Sequence, residues 1–232
     1  MVSNGEIPFL ISAFLEICTG LPTTIAISFV SLTLGALIGL GIAWVQVSRA
    51  PILYPFSVVY VSFIRGTPLL VQLYLVYFGL PIFFQIVVTT LHLSLNVGAV
   101  PPIVYAFVAF ALNSGAFLAV SFRSAIESIN YGQFEAAKSI GMTKLQGIVY
   151  IVLPQAFRNA IPMIGNTVLG NVKGTSLAFS ILVMEMTAQT IVVASRGFRY
   201  AESYLLLSLI YFILCKFIAK GFSFAEKKLS VY

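Results

Sequence analysis

A short polar segment, residues 171–176 (NVKGTS), interrupts one of the apolar stretches of this sequence. It places Lys173 close to Thr175 and Ser176, with a glycine after the lysine. Charged residues inside a lipid-embedded segment are costly and typically mark a substrate or ion pathway. An ammonium group, two hydroxyls and backbone groups freed by a helix break suit a bound carboxylate. The structural alternative is that Lys173 extends to the membrane interface or pairs with Glu185.

Other polar side chains fall within or beside apolar stretches. Gln72, Asn113 and Ser114 are expected either to hydrogen-bond a substrate or to hold neighbouring helices together. A second group is expected near the cytoplasmic end of its span, in a structural or gating role: Arg65, Gly66, Thr67 and Pro68. The predicted substrate path therefore comprises Gln72, Asn113, Ser114, Lys173, Thr175, Ser176 and Glu185.

The residue types needed for most enzyme chemistry are scarce. The sequence has no Asp, and its single histidine, His92, is expected in an exposed external loop. Cys18 and Cys215 lie in or beside apolar stretches, which indicates neither a disulfide framework nor a metal site. General acid–base catalysis lacks its usual groups, which argues against a membrane-embedded enzyme.

Composition indicates the surroundings of these residues. The chain is 59% hydrophobic and 9% charged, with a mean hydropathy of +1.02, whereas soluble domains carry roughly 25% charged residues. A soluble protein of 232 residues does not bury that much apolar surface, so the solvent is largely lipid. The net charge of +6 is then a matter of membrane orientation, and no nucleic-acid partner is expected.

The apolar pattern predicts an all-α membrane protein with about five transmembrane helices, each near the 20 or so residues that a bilayer requires. The predicted spans are residues 22–46, 68–90, 101–122, 158–194 and 203–222. The fourth is long and irregular and is treated as a single broken span. Residues 7–18 and 51–64 are expected to form short helices at the membrane interface.

The basic residues predict an orientation with the N-terminus outside and the C-terminus in the cytoplasm. With five spans, one side holds Arg49, Arg65, Arg123, Lys138, Lys144, Arg158, Lys220, Lys227 and Lys228. The other side holds Arg196, Arg199 and His92. A sixth span would move the three C-terminal lysines outside, against the positive-inside rule.

The longest hydrophilic segment, at about 123–147, predicts a helix, a glycine turn and a second helix. Glu135 is expected in the first turn of the first helix, where a negative charge favours the helix dipole. Gly141 is expected to end that helix, Thr143 to cap the next one, and Pro154 to mark a break before the chain returns to lipid. The spacing alone leaves two interpretations open, packing on the chain's own spans or docking of a soluble partner.

This segment resembles the EAA loop of bacterial ABC importer permeases. Glu135-Ala136-Ala137 is followed by three residues, Gly141, nine residues and then Ile151-Val152-Leu153-Pro154. The segments FIRGTPLLVQLYLVYFGLP, NSGAFLA, GQFEAAKSIGM and LPQAFRNAIPMIGN are similar to the polar amino acid uptake branch of that family. The resemblance covers about residues 20–222.

The resemblance implies one transmembrane permease domain over residues 1–232, with a coupling loop at about 123–156, in the bacterial inner membrane. Implied partners are a second permease chain, identical or different, two ATPase subunits, and an external binding protein that delivers an amino acid. No cofactor is implied for this chain itself, since ATP and Mg belong to the ATPase and the sequence lacks a phosphate loop. The implied coupling residues are Glu135, Ala136, Ala137, Gly141, Leu153 and Pro154.

Two departures from the family pattern bear on the cargo. Gly174 stands where relatives usually carry Asp, and Val120 follows Ala119 where Glu is common. The missing carboxylates favour a neutral polar amino acid or cystine over a basic amino acid. The alternative function is an ion-gradient-driven secondary transporter or channel, which would explain the spans and Lys173 but not the spacing of the loop.

Overall fold

The structure is a computed structural model that describes residues 6–91 and 100–230; His92 lies outside the described residues. The described chain is helical. Its helices are α1 (Glu6–Cys18), α2 (Leu21–Ser48), α3 (Leu53–Gly66), α4 (Leu69–Thr90), α5 (Pro102–Glu127), α6 (Tyr131–Ser139), α7 (Lys144–Gly147), α8 (Leu153–Gly174), α9 (Met186–Ser195) and α10 (Tyr200–Ser230). A π-helical turn, Ile148–Val152, joins α7 to α8, and a 3₁₀ helix, Thr175–Ile181, follows α8.

Within the described ranges, five helical stretches are long and apolar enough to cross a membrane, which confirms the predicted number. They are Pro8–Ser48, Leu69–Thr90, Pro102–Glu127, Leu145–Ile181 and Tyr200–Leu229. The fourth is one irregular span, as expected, but it ends earlier than predicted. The chain turns at Leu182, where φ is 65°, and α9 forms a separate short helix packed against α1 and α10.

Helix α5 is the centre of the bundle, and small residues bring it close to α2. A Cβ atom on Gly39 would lie 3.0 Å from the backbone nitrogen of Ala119, and one on Gly115 would lie 2.8 Å from Ile38 Cγ2. In lipid, the hydrophobic effect does not drive helices together. Their association relies instead on close van der Waals packing and on hydrogen bonds between helices, and small residues allow the backbones to come close. The Gly- and Ser-rich composition of α2 is therefore explained by its long contact with α5.

Helix α3 packs against α5, which differs from the separate interfacial helix expected from the sequence. The Tyr60 hydroxyl donates to the carbonyl oxygen of Leu112 at 2.6 Å, and Ser57, Val61 and Ile64 are buried. Since Leu112 lies near the middle of α5, α3 rises alongside the second half of that helix. Together, α3 and α4 form one broken path through the bundle, which a hydropathy pattern alone does not distinguish from a surface helix followed by a span.

Candidate functional site

Two helix breaks meet near the middle of α5. The first is the extended pair Thr67-Pro68 between α3 and α4, and the second is Gly174, where α8 gives way to the 3₁₀ helix. A Cβ atom on Gly174 would lie 3.1 Å from Leu69 Cδ2 and 3.4 Å from Phe110 Cε1. Gly174 thus allows the second break to pack against the start of α4. Interrupted helices at membrane depth are typical of substrate sites in transporters.

The first break is held by a buried amide. Gln72 Nε2 donates to the carbonyl oxygens of Ile64 at 2.7 Å and Thr67 at 3.0 Å, which lack helical donors at the end of α3. Asn113 Nδ2 donates to Gln72 Oε1 at 2.9 Å, so α5 fixes the orientation of this amide. The Arg65 guanidinium lies 5.5 Å from the centre of the Phe117 ring. Residues 65–68 therefore lie beside the middle of α5, deeper than the sequence suggested.

A second amide ties the helix before the other break to its neighbours. Asn171 Nδ2 donates to Ser114 Oγ at 2.7 Å and to Ser31 Oγ at 3.1 Å, linking α8, α5 and α2. The Asn171 Oδ1 atom is buried and has no hydrogen-bond partner among residues 6–91 and 100–230. Sequence reasoning selected Ser114 but missed Asn171 and Ser31. The available signal was the spacing of Asn171, two residues before Lys173 in the same polar segment.

After the second break, Thr175 and Glu185 are fully buried, and both contact the hydroxyl of Tyr211. The Thr175 hydroxyl donates to the Val172 carbonyl at 2.7 Å and lies 3.4 Å from Tyr211 Oη, which donates to Glu185 Oε2 at 3.3 Å. The Glu185 carboxylate also accepts from the backbone N–H groups of Thr187 and Ala188 at 2.9 and 3.0 Å. Glu185 is thus the N-cap of α9.

Lys173 does not form the ion pair considered from the sequence. Within the described residues, no Lys or Arg nitrogen lies within 4.0 Å of the Glu185 carboxylate. The Lys173 side chain is exposed on the surface of the bundle, next to the second break. Ser176, half-buried one turn later, donates its hydroxyl to the Lys173 carbonyl at 2.9 Å. Among the predicted path residues, Lys173 thus has an exposed ammonium that forms no salt bridge within the described residues.

At the other functional candidate, the hydrophilic loop, local hydrogen bonds define the first helix. Asn130 Oδ1 accepts from the Gly132 N–H at 2.8 Å and caps α6. Because α6 begins at Tyr131, Glu135 lies beyond its first turn. The predicted stabilisation of the helix dipole by Glu135 was therefore wrong. At the far end, Gly141 has φ +82°, and the Met142 N–H bonds the Ala137 carbonyl at 3.1 Å. This Schellman motif confirms the predicted glycine stop.

The second loop helix begins with a capping box. The Thr143 N–H donates to Gln146 Oε1 at 2.8 Å, and the Gln146 N–H donates to Thr143 Oγ1 at 3.3 Å, which confirms the predicted cap. The expected break at Pro154 is absent. The π-helical turn before α8 widens the helix, and Pro154 occupies its first turn, where a missing N–H is tolerated.

The exposed surface around Gly141 is apolar at its centre. Ile140 is 73% exposed and Leu145 71% exposed, on either side of the turn. Glu135 and Ala136 are also exposed, whereas Ala137 is buried. We call the surface formed by Glu135, Ala136, Ile140, Gly141 and Leu145 the loop face. Leu153 and Pro154, which complete the predicted motif, are exposed at the start of α8.

For residues 6–91 and 100–230, no group of three His, Cys, Asp or Glu side chains is arranged to hold a metal ion. The breaks present polar side chains, and the loop face presents exposed apolar ones.

Comparison with known proteins shows the family. Residues 31–224 match the family described as "Binding-protein-dependent transport system inner membrane component". The chain is 40% identical over 206 residues to the probable amino-acid permease protein YxeN of Bacillus subtilis, covering 89% of this chain and 88% of that protein. It is 36% identical over 211 residues to the L-cystine transport system permease protein TcyL of the same organism, covering 90% and 85%.

Solved structures agree. One described as an amino acid ABC transporter with histidines has a TM-score of 0.82 and 32% identity, covering 94% of this chain and 96% of that one. The MetNI methionine ABC transporter shares the fold at a TM-score of 0.66 and 18% identity. Permease subunits of this kind are not enzymes, because a separate ATPase subunit hydrolyses ATP. The chain belongs to the binding-protein-dependent transport system inner membrane component family, as a multi-pass permease subunit of an ABC importer.

Proposed function

We propose that this permease imports a neutral polar amino acid or cystine in preference to a basic amino acid. The observation that carries the proposal is the set of hydrogen bonds that the Glu185 carboxylate makes near the second break. Both oxygens of the Glu185 carboxylate accept backbone N–H groups of α9, so Glu185 offers no free carboxylate to a cationic side chain. Gly174 and Val120 supply none at the two positions where the family resemblance leads us to expect an acid. Two relatives are named L-cystine permeases, which supports this cargo class, whereas two others are named for nopaline and octopine and the structure at 32% identity is described with histidines.

The substrate carboxylate is proposed to bind Lys173. The Lys173 side chain is exposed, it directly precedes Gly174 at the break, and Gly174 packs on Leu69, the first residue of α4. A helix N-terminus favours an anion through its free N–H groups and dipole. The remaining path residues have supporting roles. Ser114, Thr175 and Glu185 position the break, and Gln72, Asn113 and Ser176 complete its polar lining.

The loop face is proposed to be the coupling surface. Ile140 and Leu145 would enter an apolar groove of the ATPase, Ala136 allows close approach, and Glu135 provides a charge-assisted contact. Leu153 and Pro154 would transmit the movement of the loop into α8. With the loop in the cytoplasm, the N-terminus lies outside and the C-terminus inside. Arg65, Gly66, Thr67 and Pro68 would act as a gate, since the first break faces the second.

The proposed assembly contains two permease chains, two ATPase subunits that bind ATP and Mg, and an external binding protein. The second permease chain is either a copy of this one or a different chain. In either case the whole of residues 1–232 acts as one transmembrane domain, and residues 123–156 act as the coupling loop.

The test is ATP-dependent uptake by the complete complex in proteoliposomes. Labelled L-cystine, L-glutamine and L-arginine would be supplied with the cognate binding protein, and the binding protein's own affinity for each would be measured separately. We expect vanadate-sensitive uptake of cystine or glutamine, and arginine is expected to compete poorly. Preferred arginine import, after correction for binding-protein affinity, would contradict the assigned cargo class.

A further inference from the structure

Helices α8 and α10 pack tightly at one point, and a cleft lies beside this contact. A Cβ atom on Gly165 would lie 3.0 Å from Cγ of the Phe222 ring, so the contact between the helices is tight there. Towards the end of the bundle that carries α6, residues of α5, α8 and α10 line a cleft of about 750 Å³. Its lining includes Ser124, Ser128, Arg158, Asn159, Pro162 and Glu226.

Two opposite charges face this cleft without meeting. Two salt bridges within 4.0 Å occur in the described residues, Arg123 with Glu127 and Arg196 with Glu16. Neither involves Arg158 or Glu226. Arg158 is half-buried and Glu226 exposed. Removing a guanidinium partly from water costs free energy that only a paired anion offsets. Because Arg158 has no such partner among the described residues, binding of an anionic ligand there is favoured.

Residues that line the cleft also carry hydrogen-bond acceptors. Pro162 has no N–H group, so the Arg158 carbonyl lacks the helical donor that residue i+4 normally supplies. Asn159 uses its Nδ2 group to donate to Ser128 Oγ at 2.8 Å, which turns its amide oxygen away from that bond. Glu226 also lines the cleft, so its lining residues carry a carboxylate, an amide oxygen and a carbonyl without a helical donor, and a primary ammonium has three donors for acceptors of these kinds.

We propose that this cleft binds a zwitterion that carries an anionic group and a primary ammonium. The anion pairs with Arg158, and the ammonium donates to Glu226 and the neighbouring carbonyl or amide oxygen. Two sources offer this chemistry, a free amino acid and the headgroup of an ethanolamine phospholipid. A purely anionic ligand would meet the Glu226 charge. Because α8 is joined through the π turn to α7, a bound zwitterion would tie the helix that carries Leu145 of the loop face to α10.

The test measures binding to the full chain in nanodiscs, without reference to transport. In one arm, native mass spectrometry follows retention of phosphatidylethanolamine against phosphatidylcholine, whose quaternary ammonium has no N–H group. In the other arm, L-glutamine and L-alanine are titrated onto the chain in phosphatidylcholine nanodiscs. We expect one of the two probe classes to bind. Arg158→Gln and Glu226→Gln should each weaken binding about tenfold, as expected for loss of a charge-assisted hydrogen bond.

Matched controls are Lys228→Gln on the same helix end and Glu202→Gln at the opposite end of α10, which should leave binding unchanged. Thermal unfolding of each variant would show that it is folded. Binding of neither probe class would overturn the proposal, as would affinity unaffected by both cleft substitutions. Equal retention of phosphatidylglycerol, or a loss on Arg158→Gln alone, would reduce the site to an anion site and would also overturn it.

Discussion

The loop face and the two meeting helix breaks are built in opposite ways. Hydrogen bonds between close neighbours in sequence hold the loop: an Asn cap, a Schellman turn and a capping box. Bonds between distant residues hold the breaks, such as Asn171 to Ser31, 140 positions apart, and Asn113 to Gln72, 41 apart. The loop is exposed, whereas Gln72 and Asn171, whose amides hold the breaks, are buried. The loop can therefore dock as a preformed unit, whereas any change at the breaks involves several helices at once.

The largest expected effect is on coupling, from Gly141→Asp. Its φ of +82° is rarely adopted by side-chain-bearing residues, and no heavy atom lies within 4 Å of a Cβ there. The cost is therefore a redirected turn rather than a clash inside the bundle. We expect normal membrane insertion, loss of uptake, and ATPase activity no longer stimulated by the loaded binding protein.

A matched control for that variant is Gln133→Asp, which adds the same charge at an exposed position of α6 without changing the turn. It should retain most of the uptake. Wild-type transport by Gly141→Asp would contradict the role of the loop face.

The next largest effect is expected from Lys173→Gln at the second break. Loss of one charge-assisted hydrogen bond to a carboxylate is worth about 1.5–3 kcal/mol, or roughly a tenfold to hundredfold rise in KM for uptake. Basal ATPase activity should be unchanged, because Lys173 is distant from the loop face in sequence and is exposed. Lys220→Gln, which alters another exposed lysine, is the control. An unchanged KM for Lys173→Gln would remove this residue from the substrate path.

Asn171→Ala should reveal how firmly the breaks are held. It removes two bonds between helices, and such bonds in membrane proteins are each worth about 0.6 kcal/mol on average, up to about 1.7. We expect a loss of about 1–2 kcal/mol in unfolding free energy, measured by denaturation in detergent. Asn166→Ala, on an exposed face of the same helix, should have little effect. Equal losses in the two variants would show that the buried network carries no special stability.

Thr143→Ala is expected to have the smallest effect on stability and a purely local one. Loss of an N-cap costs about 1 kcal/mol, here confined to the short α7. Hydrogen exchange should rise around residues 143–147 while the spans stay protected. Because Thr143 and Gln146 cap each other, adding Gln146→Ala should cost less than the sum of the single effects. Exchange spreading into α5 or α10 would show that the loop is not an independent unit.

The accuracy of prediction follows the same division. The number of spans, the glycine stop and the Thr143 cap were predicted correctly, because each depends on composition or on bonds within a few residues. The predicted placement of Glu135 in the first turn was wrong because the sequence did not show that Asn130 caps α6 and starts it at Tyr131. The expected break at Pro154 was wrong because a π-helical turn accommodates that proline.

By itself, the sequence determined that this chain lies in a membrane, how often it crosses, and where its loop turns, because hydropathy and capping act along the chain. Only the tertiary structure decided that α3 rises beside α5, that Glu185 caps α9 instead of pairing with Lys173, and that the two breaks meet. Those arrangements depend on which small residues allow helices to approach and on which buried polar atoms then come within bonding distance. No spacing in a single chain specifies such contacts.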